Sequence, residues 1–276
     1  AILEALQEVI VPPNSVDTRI TADDLRAGYK AWRESTSTSP SGQHLGYYKV
    51  IAAFESPPEE DDTPRDSDRI FGTLANMTDA ALQTGFVFER WHKIVNAMIE
   101  KIPGSPRLDK LRVIHLLEAD LNLALGIIWS RRLMTQGEKL GASRYEQWGS
   151  RNGRSTNTVV LLKHFTYEMM QLTKADGRTI DDDAKACFDR IIPALTNLRS
   201  RQLGVPAAAC HTHAELLQKA TYAVKTQAGI SEQTYCSSEE EPLYGDGQGT
   251  RWATAAWILI RTLILRLMPH KANGSQ

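Results

Sequence analysis

Residues 183–189 read Asp183-Ala-Lys-Ala-Cys-Phe-Asp189 and directly follow an Ile-Asp-Asp run. Residues 178–182 are predicted to form a short strand, which leaves the Asp183 carboxylate at its end, and a helix is predicted to begin near Phe188. Such a carboxylate can bind Mg²⁺, which takes oxygen ligands and must be held against phosphates during phosphoryl transfer. The alternative is an isolated acidic turn, because acidic residues favour turns and helix starts.

Three further segments lie in a fixed order around this heptad. Upstream is Gln147-Trp-Gly-Ser-Arg-Asn-Gly-Arg-Ser155-Thr156. Further upstream is Leu108-Asp-Lys-Leu-Arg112-Val-Ile-His-Leu-Leu117, which Asp120 and Arg132-Leu133 follow. Downstream is Gly245-Asp-Gly-Gln248-Gly249-Thr-Arg-Trp-Ala-Thr-Ala-Ala-Trp257. The order of these segments carries more information than any one of them.

The segments resemble motifs of the reverse transcriptases of non-LTR retrotransposons and group II introns. Residues 147–156 resemble their Gln-x-Gly-Phe-x-x-Gly-Arg-Ser-Thr segment, and residues 108–117 are similar to their Tyr-Arg-Pro-Ile-Ser-Leu-Leu stretch. Residues 183–189 match the first palm motif, Asp-x-x-x-Ala-Phe-Asp, and residues 245–257 are similar to Gly-x-x-Gln-Gly-x-x-x-Ser-Pro-x-x-Phe. The Gly-Arg-Ser-Thr and Gln-Gly pieces are the most specific. An unrelated helical protein with coincidental motifs is the alternative.

The resemblance implies a helix-rich α+β fold that comprises the fingers and a partial palm of a right-hand polymerase. Residues 1–67 would be an N-terminal helical and loop segment, residues 68–175 the fingers, and residues 176–276 the partial palm. The family's later palm hairpin, Tyr/Phe-x-Asp-Asp, does not occur in these 276 residues. We therefore expect a truncated palm that lacks this hairpin and the thumb. The missing C-terminal palm and thumb region is then an expected partner of this chain.

By resemblance, Asp183 is the catalytic carboxylate and first metal ligand, and the backbone carbonyl of Ala184 is a possible further ligand. The metal would be Mg²⁺ or Mn²⁺ in the complete enzyme. Asp189 is expected to cap the following helix instead of binding metal.

The resemblance assigns four residues to the nucleotide. Arg112 would clamp the triphosphate, a task that suits a planar guanidinium that stays charged. Phe188 would exclude a 2′-hydroxyl and so select a deoxynucleoside triphosphate, with a core aromatic as the alternative role. Gln248 and Gly249 would line the nucleotide pocket, where glycine permits close approach of the backbone.

The formal net charge of −1 neither favours nor excludes nucleic-acid binding, which depends on a local basic surface. Basic residues are concentrated in the proposed fingers. Arg151, Arg154 and Ser155 are therefore predicted to contact nucleic acid, with an RNA template and a DNA primer as the implied partners. Ordinary solvated faces are the alternative interpretation of the basic clusters.

The function implied by the resemblance is RNA-templated DNA synthesis by two-metal nucleotidyl transfer in the complete protein. Three departures from the family bear on catalysis: Asn122 stands near a position where many relatives have lysine, Val113 replaces proline, and Ala253-Thr254 replaces Ser-Pro. With the Asp-Asp hairpin absent as well, this chain is expected to be inactive. A non-catalytic nucleic-acid-binding or interaction remnant of a retroelement polymerase is the alternative function.

The hydrophobic fraction and the cysteine content are typical of an intracellular globular protein, and we expect the cytoplasm or nucleus as its location. Hydrophobic residues make up 42% of the chain, and the three cysteines have no disulfide or metal-ligand spacing. Cys210-His211-Thr-His213 permits a zinc interpretation, although a second ligand pair is missing. No secretory signal is evident, and residues 252–268 predict a buried helix instead of a membrane span, because two arginines interrupt them.

The secondary structure is predicted to be mostly helical. Thr21-Ala-Asp-Asp24 indicates an N-cap. Further helices are predicted at about 69–100, 120–140, 156–173 and 206–222, a strand at 111–117, and a hairpin at 222–236 that turns at Ala228-Gly229.

Overall fold

The computed structural model describes residues 11–33, 39–54, 66–105, 107–177 and 184–267. Helices dominate it, and a four-stranded mixed sheet completes an α+β fold. The α-helices are α1 (Ala22–Ala31), α2 (Leu45–Ala53), α3 (Asp66–Thr84), α4 (Ala119–Leu125), α5 (Met134–Lys139), α6 (Thr156–Thr173), α7 (Pro193–Gln202), α8 (Ala207–Lys219) and α9 (Ala253–Leu267). The strands are β1 (Lys93–Glu100), β2 (Leu111–Leu116), β3 (Thr221–Thr226) and β4 (Gly229–Cys236).

Helix α1 begins where the sequence predicts. The Thr21 side chain accepts a hydrogen bond from the Asp24 backbone N–H, and the Asp24 carboxylate accepts one from the Thr21 backbone N–H. This reciprocal capping box satisfies two N–H groups that the first helical turn would otherwise leave unpaired. The predicted helices at 120–140, 156–173 and 206–222, the strand at 111–117 and the hairpin are also confirmed within a few residues. A π-helical stretch, Gly126–Leu133, joins α4 to α5.

The long helix predicted at 69–100 is wrong in its second half. Helix α3 ends at Thr84, where Gly85 adopts a φ of +80° and both Gly85 and Phe86 donate backbone hydrogen bonds to Ala81. This is the usual glycine-terminated end of a helix. After a short 3₁₀ turn the chain becomes β1, because pairing with two neighbouring strands outweighs the helical spacing of its apolar residues.

The sheet has the strand order β2-β1-β3-β4. Strand β1 is antiparallel to β2 and parallel to β3, and β3 and β4 form an antiparallel hairpin. Strands β1 and β2 come from the proposed fingers, and β3 and β4 come from the proposed palm. Strands from both sides of the predicted boundary at residues 175 and 176 therefore share one sheet.

One extensive core connects most of the helices. Trp91, Trp129 and Trp252 are its largest fully buried side chains, and Leu121, Leu123 and Leu125 pack with them. Helix α9 contributes Ala255 and Leu259 to this core, as expected for the helix predicted at 252–268, and the arginines at 261 and 266 are only half-buried.

Helix α6 differs from the other long helices because none of its residues is buried. Its large apolar side chains are exposed, including Leu161 at 53%, Phe165 at 53% and Leu172 at 79%. Among the helices that the structure describes, none combines the length and the apolarity that a bilayer crossing needs.

Candidate functional site

Backbone hydrogen bonds bring three of the motif-bearing segments together. The Asp246 N–H donates to the Phe188 carbonyl at 3.1 Å, and the Gly245 N–H donates to the Ile191 carbonyl at 2.9 Å. The His115 N–H of β2 donates to the Gln248 carbonyl at 2.7 Å. The loop at 245–250 therefore bridges β2, which carries Arg112, and the 3₁₀ turn Phe188–Arg190. This group of three segments is called the loop junction below.

Glycines allow the loop junction to close. Gly245 has a φ of +102°, and a Cβ there would lie 2.8 Å from the Phe188 carbonyl oxygen. Gly249 has a φ of +104°, and a Cβ there would lie 2.8 Å from Cγ2 of Ile114 and 3.1 Å from the carbonyl oxygen of His115. Both positions have a positive φ, which residues other than glycine rarely adopt, and neither leaves room for a Cβ atom. Gly249 was predicted to let the backbone approach a nucleotide closely. In the structure its backbone lies close to β2.

Arg112 lies on β2, the edge strand of the sheet, and is exposed. It pairs with Ile99 in the register of β1 and β2, and no described acidic residue forms an ion pair with it. An exposed guanidinium on the strand that the Gln248 loop contacts at His115 can bind an anionic group such as a phosphate.

Phe188 is half-buried at the start of the 3₁₀ turn, and Ala184 is half-buried four residues earlier. Asp183, the predicted catalytic and metal-binding residue, lies outside the described residues, as do residues 178–182. Asp189 does not cap the next helix as predicted. Helix α7 starts at Pro193, with Ile192 at the N-cap and no side-chain cap, because the 3₁₀ turn separates Asp189 from it. Partial burial raises the pKa of the Asp189 carboxyl.

The three residues predicted to contact nucleic acid have different environments. Arg151 is buried, and its guanidinium binds the Glu138 carboxylate through two hydrogen bonds of 2.6 and 2.5 Å. Arg154 lies 4.6 Å from the Trp148 ring centre and 5.2 Å from that of Tyr145. Ser155 is exposed and caps α6 by accepting a hydrogen bond from the Thr158 N–H at 3.2 Å. Arg151 thus has a structural role, while Arg154 and Ser155 remain accessible.

A buried polar cluster anchors the loop junction and was not predicted. Asp246 is fully buried, and its Oδ2 accepts a hydrogen bond from the Thr196 hydroxyl at 3.3 Å. Nε2 of the equally buried His213 lies 3.5 Å from Oδ1 of Asp246, and its Nδ1 lies 3.0 Å from Oδ1 of Asn197. Burial raises the pKa of Asp246 to about 7 and lowers that of His213 to about 3. Both groups are therefore mainly uncharged between about pH 3 and pH 7.

His213 belongs to the Cys210–His213 segment that permits a zinc interpretation. In the structure its side chain is buried beside Asp246 and Asn197. His211 is exposed on α8 and pairs with Glu215 at 3.2 Å, and Cys210 is buried. In the ranges that the structure describes, no three His, Cys, Asp or Glu side chains come together in a way that could hold a metal ion. The described residues alone do not supply the Mg²⁺ site that the resemblance implies, and the Asp183 carboxylate lies outside them.

A second unpredicted cluster fixes the loop that precedes α2. Glu118 and Asp120 are almost fully buried, and both bind the guanidinium of Arg90. The Glu118 carboxylate also accepts hydrogen bonds from the backbone N–H and hydroxyl of Ser41, at 2.8 and 3.0 Å. The Ser39 hydroxyl accepts one from the Ala119 N–H at 3.1 Å. The start of α4 is thus tied to the 39–42 loop.

Compared with models of protein families and with curated proteins, the chain has no match.

Proposed function

We propose that this chain is a reverse-transcriptase-like domain of fingers and partial palm that binds an RNA template, a DNA primer and a deoxynucleoside triphosphate. The observation that carries the proposal is the loop junction. Segments that resemble three separate reverse-transcriptase motifs are joined by backbone hydrogen bonds of 2.7 to 3.1 Å, although they are distant in sequence. Coincidental matches would have no reason to be adjacent in space.

The described residues suit binding tasks in this proposal. Arg112 is exposed and free of described ion-pair partners, so it can receive a phosphate. Phe188 is half-buried, and its carbonyl accepts a hydrogen bond from Asp246 in the loop that carries Gln248. An aromatic side chain at this position can restrict the shape of a bound sugar. Arg154, held near two aromatic rings, can contact a nucleic-acid backbone.

Nucleotidyl transfer itself is proposed for a protein that also contains a Tyr/Phe-x-Asp-Asp segment. Asp183 would supply the first metal carboxylate there, with the Ala184 carbonyl as a further ligand, and the metal would be Mg²⁺ or Mn²⁺. No such hairpin occurs in the 276 residues, so these residues alone are proposed to bind without extending a primer.

Fluorescence anisotropy with a labelled RNA–DNA primer-template tests the binding half of the proposal. We expect weak binding whose affinity falls steeply as salt rises, because phosphate contacts release counterions. Arg112→Ala and Arg154→Ala should each weaken binding of primer-template or triphosphate by roughly three- to tenfold. Arg69→Ala is the matched control, because Arg69 is an exposed arginine far in sequence from the motifs. Equal losses in all three variants, or no salt dependence, would contradict the proposal.

Primer extension tests the catalytic half. A version that includes a Tyr/Phe-x-Asp-Asp segment should extend the primer in Mg²⁺ or Mn²⁺, and Asp183→Asn should abolish this activity. Extension that is indifferent to Asp183→Asn would refute the catalytic assignment. Salt-sensitive binding without extension in that longer version would favour a non-catalytic remnant.

A further inference from the structure

A small cavity lies beside the loop junction, between parts of the chain that are distant in sequence. It has a volume of about 240 Å³, and its walls come from the residue after α1, the 39–42 loop, the starts of α2 and α4, strand β2 and the segment that ends at Arg251. This volume suits a small chemical group better than a drug-sized ligand. None of the described residues that line the cavity is acidic, and Arg112 is not among them.

Asn122 of α4 presents an unused hydrogen-bond donor to this cavity. The residue is only 7% exposed, and its Oδ1 accepts a hydrogen bond from the Arg251 N–H at 2.8 Å, which fixes the orientation of the amide. Nδ2 has no hydrogen-bond partner among the described residues, and the fully occluded unpaired polar atoms of those residues do not include it. Its accessible surface therefore opens into the cavity that Asn122 lines.

Ser39 supplies a second donor from a different wall. The residue is 8% exposed, and its Oγ accepts a hydrogen bond from the Ala119 N–H at 3.1 Å. Within the described part of the chain, no group accepts a hydrogen bond from the Ser39 hydroxyl in return. A hydroxyl that already accepts one hydrogen bond still has a proton to donate, and Ser39 lines the cavity.

Arg251 brings a positive charge to the same cavity. Its guanidinium carbon lies 4.6 Å from the Trp32 ring centre, and its backbone is held by Asn122 and by the Ser130 hydroxyl, which donates to the Arg251 carbonyl. No described acidic residue forms an ion pair with it. Stacking on an indole uses one face of the guanidinium and leaves its N–H edge for a ligand.

A second cation strengthens the positive potential at Arg251. Arg131 is exposed, and it too has no ion-pair partner among the described residues. Partial burial and, after it, the charge of Arg131 lower the pKa of the Arg251 guanidinium. An anion bound beside Arg251 would oppose both effects.

We propose that this cavity binds a phosphate group, either free or carried by a nucleic acid. Ser39, Asn122 and Arg251 would donate hydrogen bonds to its oxygens, and the guanidinium would balance its charge. Donors that come from three separate elements suit a tetrahedral group, whose oxygens point in several directions. The proposed function gives none of these three side chains a task, so the two proposals are tested separately.

Isothermal titration calorimetry with inorganic phosphate tests the proposal. The 276-residue chain should bind phosphate with a Kd on the order of 0.1–5 mM. Arg251→Gln should weaken this binding by roughly tenfold, because a charge-assisted hydrogen bond is lost. Arg19→Gln is the matched control, since Arg19 is an exposed arginine that does not line the cavity, and it should change the Kd by less than about twofold.

Asn122→Asp changes the sign of one contact and little else. It keeps the oxygen that accepts the Arg251 N–H and replaces the donor with a carboxylate oxygen, which repels an anion, so phosphate binding should be abolished. Urea titration shows whether this variant folds. Should it not fold, Arg251→Gln decides, because Arg251 is exposed. Phosphate binding that is unchanged in the folded variants, or no saturable binding up to about 20 mM phosphate, would overturn the proposal.

A labelled single-stranded DNA distinguishes the two sources of the phosphate. If phosphate competes with the DNA and Arg251→Gln weakens both, the cavity binds a nucleic-acid phosphate. An effect of Arg251→Gln on free phosphate alone assigns the cavity to a small anion. Primer-template binding that persists without phosphate binding rejects the cavity alone, and the reverse result rejects the proposed function alone.

Discussion

Arg151 and Glu138 form a two-point ion pair that holds the segment 144–154 against α5. Nε and Nη2 of Arg151 lie 2.6 and 2.5 Å from the two Glu138 oxygens, and Nη1 donates to the carbonyls of Arg144 and Gln147 at 2.7 and 2.9 Å. Hydrogen bonding to this guanidinium lowers the pKa of the Glu138 carboxyl. The pair leaves Arg151 few donors for any external ligand.

Arg151→Met should therefore lower stability and leave nucleic-acid affinity largely unchanged. The guanidinium is almost fully buried, whereas Glu138 is about one-third exposed and can regain water. We expect a loss of about 1–3 kcal/mol in the free energy of unfolding, measured by urea titration. Arg154→Met is the control, and it should behave in the opposite way. A large loss of primer-template affinity in folded Arg151→Met would contradict this assignment.

Gly249→Ala should destabilise the loop junction. The residue needs a φ of +104°, and the added Cβ would press on Ile114 and the His115 backbone of β2. We expect a loss of about 2–4 kcal/mol, which exceeds the cost of the conformation alone. Gly104→Ala isolates that cost, because Gly104 has a φ of +80° with no atom within 4 Å of the added Cβ. Equal unfolding midpoints for the two variants would show that the contact with β2 is unimportant.

Local signals in the sequence were sufficient for several elements. Thr21 and Asp24 specify their capping box within four residues, and the helix predicted at 156–173 has the same bounds as α6. Strand β1 could not be found in this way, because its pairing partners lie in β2 and in the distant β3. Gly85 ends α3 and could have been recognised in the sequence as the end of this helix. The apolar residues after it keep a helical spacing, which led to the prediction of one long helix.

The site was predicted less completely than the elements. Sequence motifs named Phe188 and Gln248, but the hydrogen bonds that join their segments depend on tertiary packing. Arg151 stands in the segment 147–156, which resembles a family motif, and no sequence pattern distinguishes a buried arginine from a solvated one. His213 and Asp246 are far apart in sequence, so their contact could not be foreseen.

Helix α6 should promote association of the isolated chain. Leu161, Phe165 and Leu172 lie on one face of the helix and are more than half exposed. Exposed apolar patches favour self-association. The triple variant Leu161→Gln, Phe165→Gln, Leu172→Gln should sediment as a smaller species than the unmodified chain and change stability by less than about 1 kcal/mol. Leu108→Gln, at an 87% exposed site in the turn before β2, is the control. Cooperative loss of structure in the triple variant would indicate a packed helix instead.

Asp246 and His213 should make opposite contributions to the pH dependence of the free energy of unfolding. Folding raises the pKa of Asp246 from 3.8 to about 7, so the folded state binds more protons and stability falls as pH rises from about 4 to 7. Folding lowers the pKa of His213 from 6.5 to about 3, so the unfolded state binds more protons and stability increases as pH rises from about 3 to 6.5. The two effects largely cancel in the unmodified chain.

Substituting His213 or Asp246 one at a time should reveal the pH dependence that the other residue contributes. His213→Gln should leave the Asp246 contribution, so the free energy of unfolding should fall between about pH 4 and 7, by on the order of 2–4 kcal/mol. Asp246→Asn should give the reverse slope between about pH 3 and 6.5. Urea titrations across this range, with the double variant as the baseline for all other groups, provide the measurement. Identical slopes in the two single variants would mean that the buried pair does not titrate as its burial predicts.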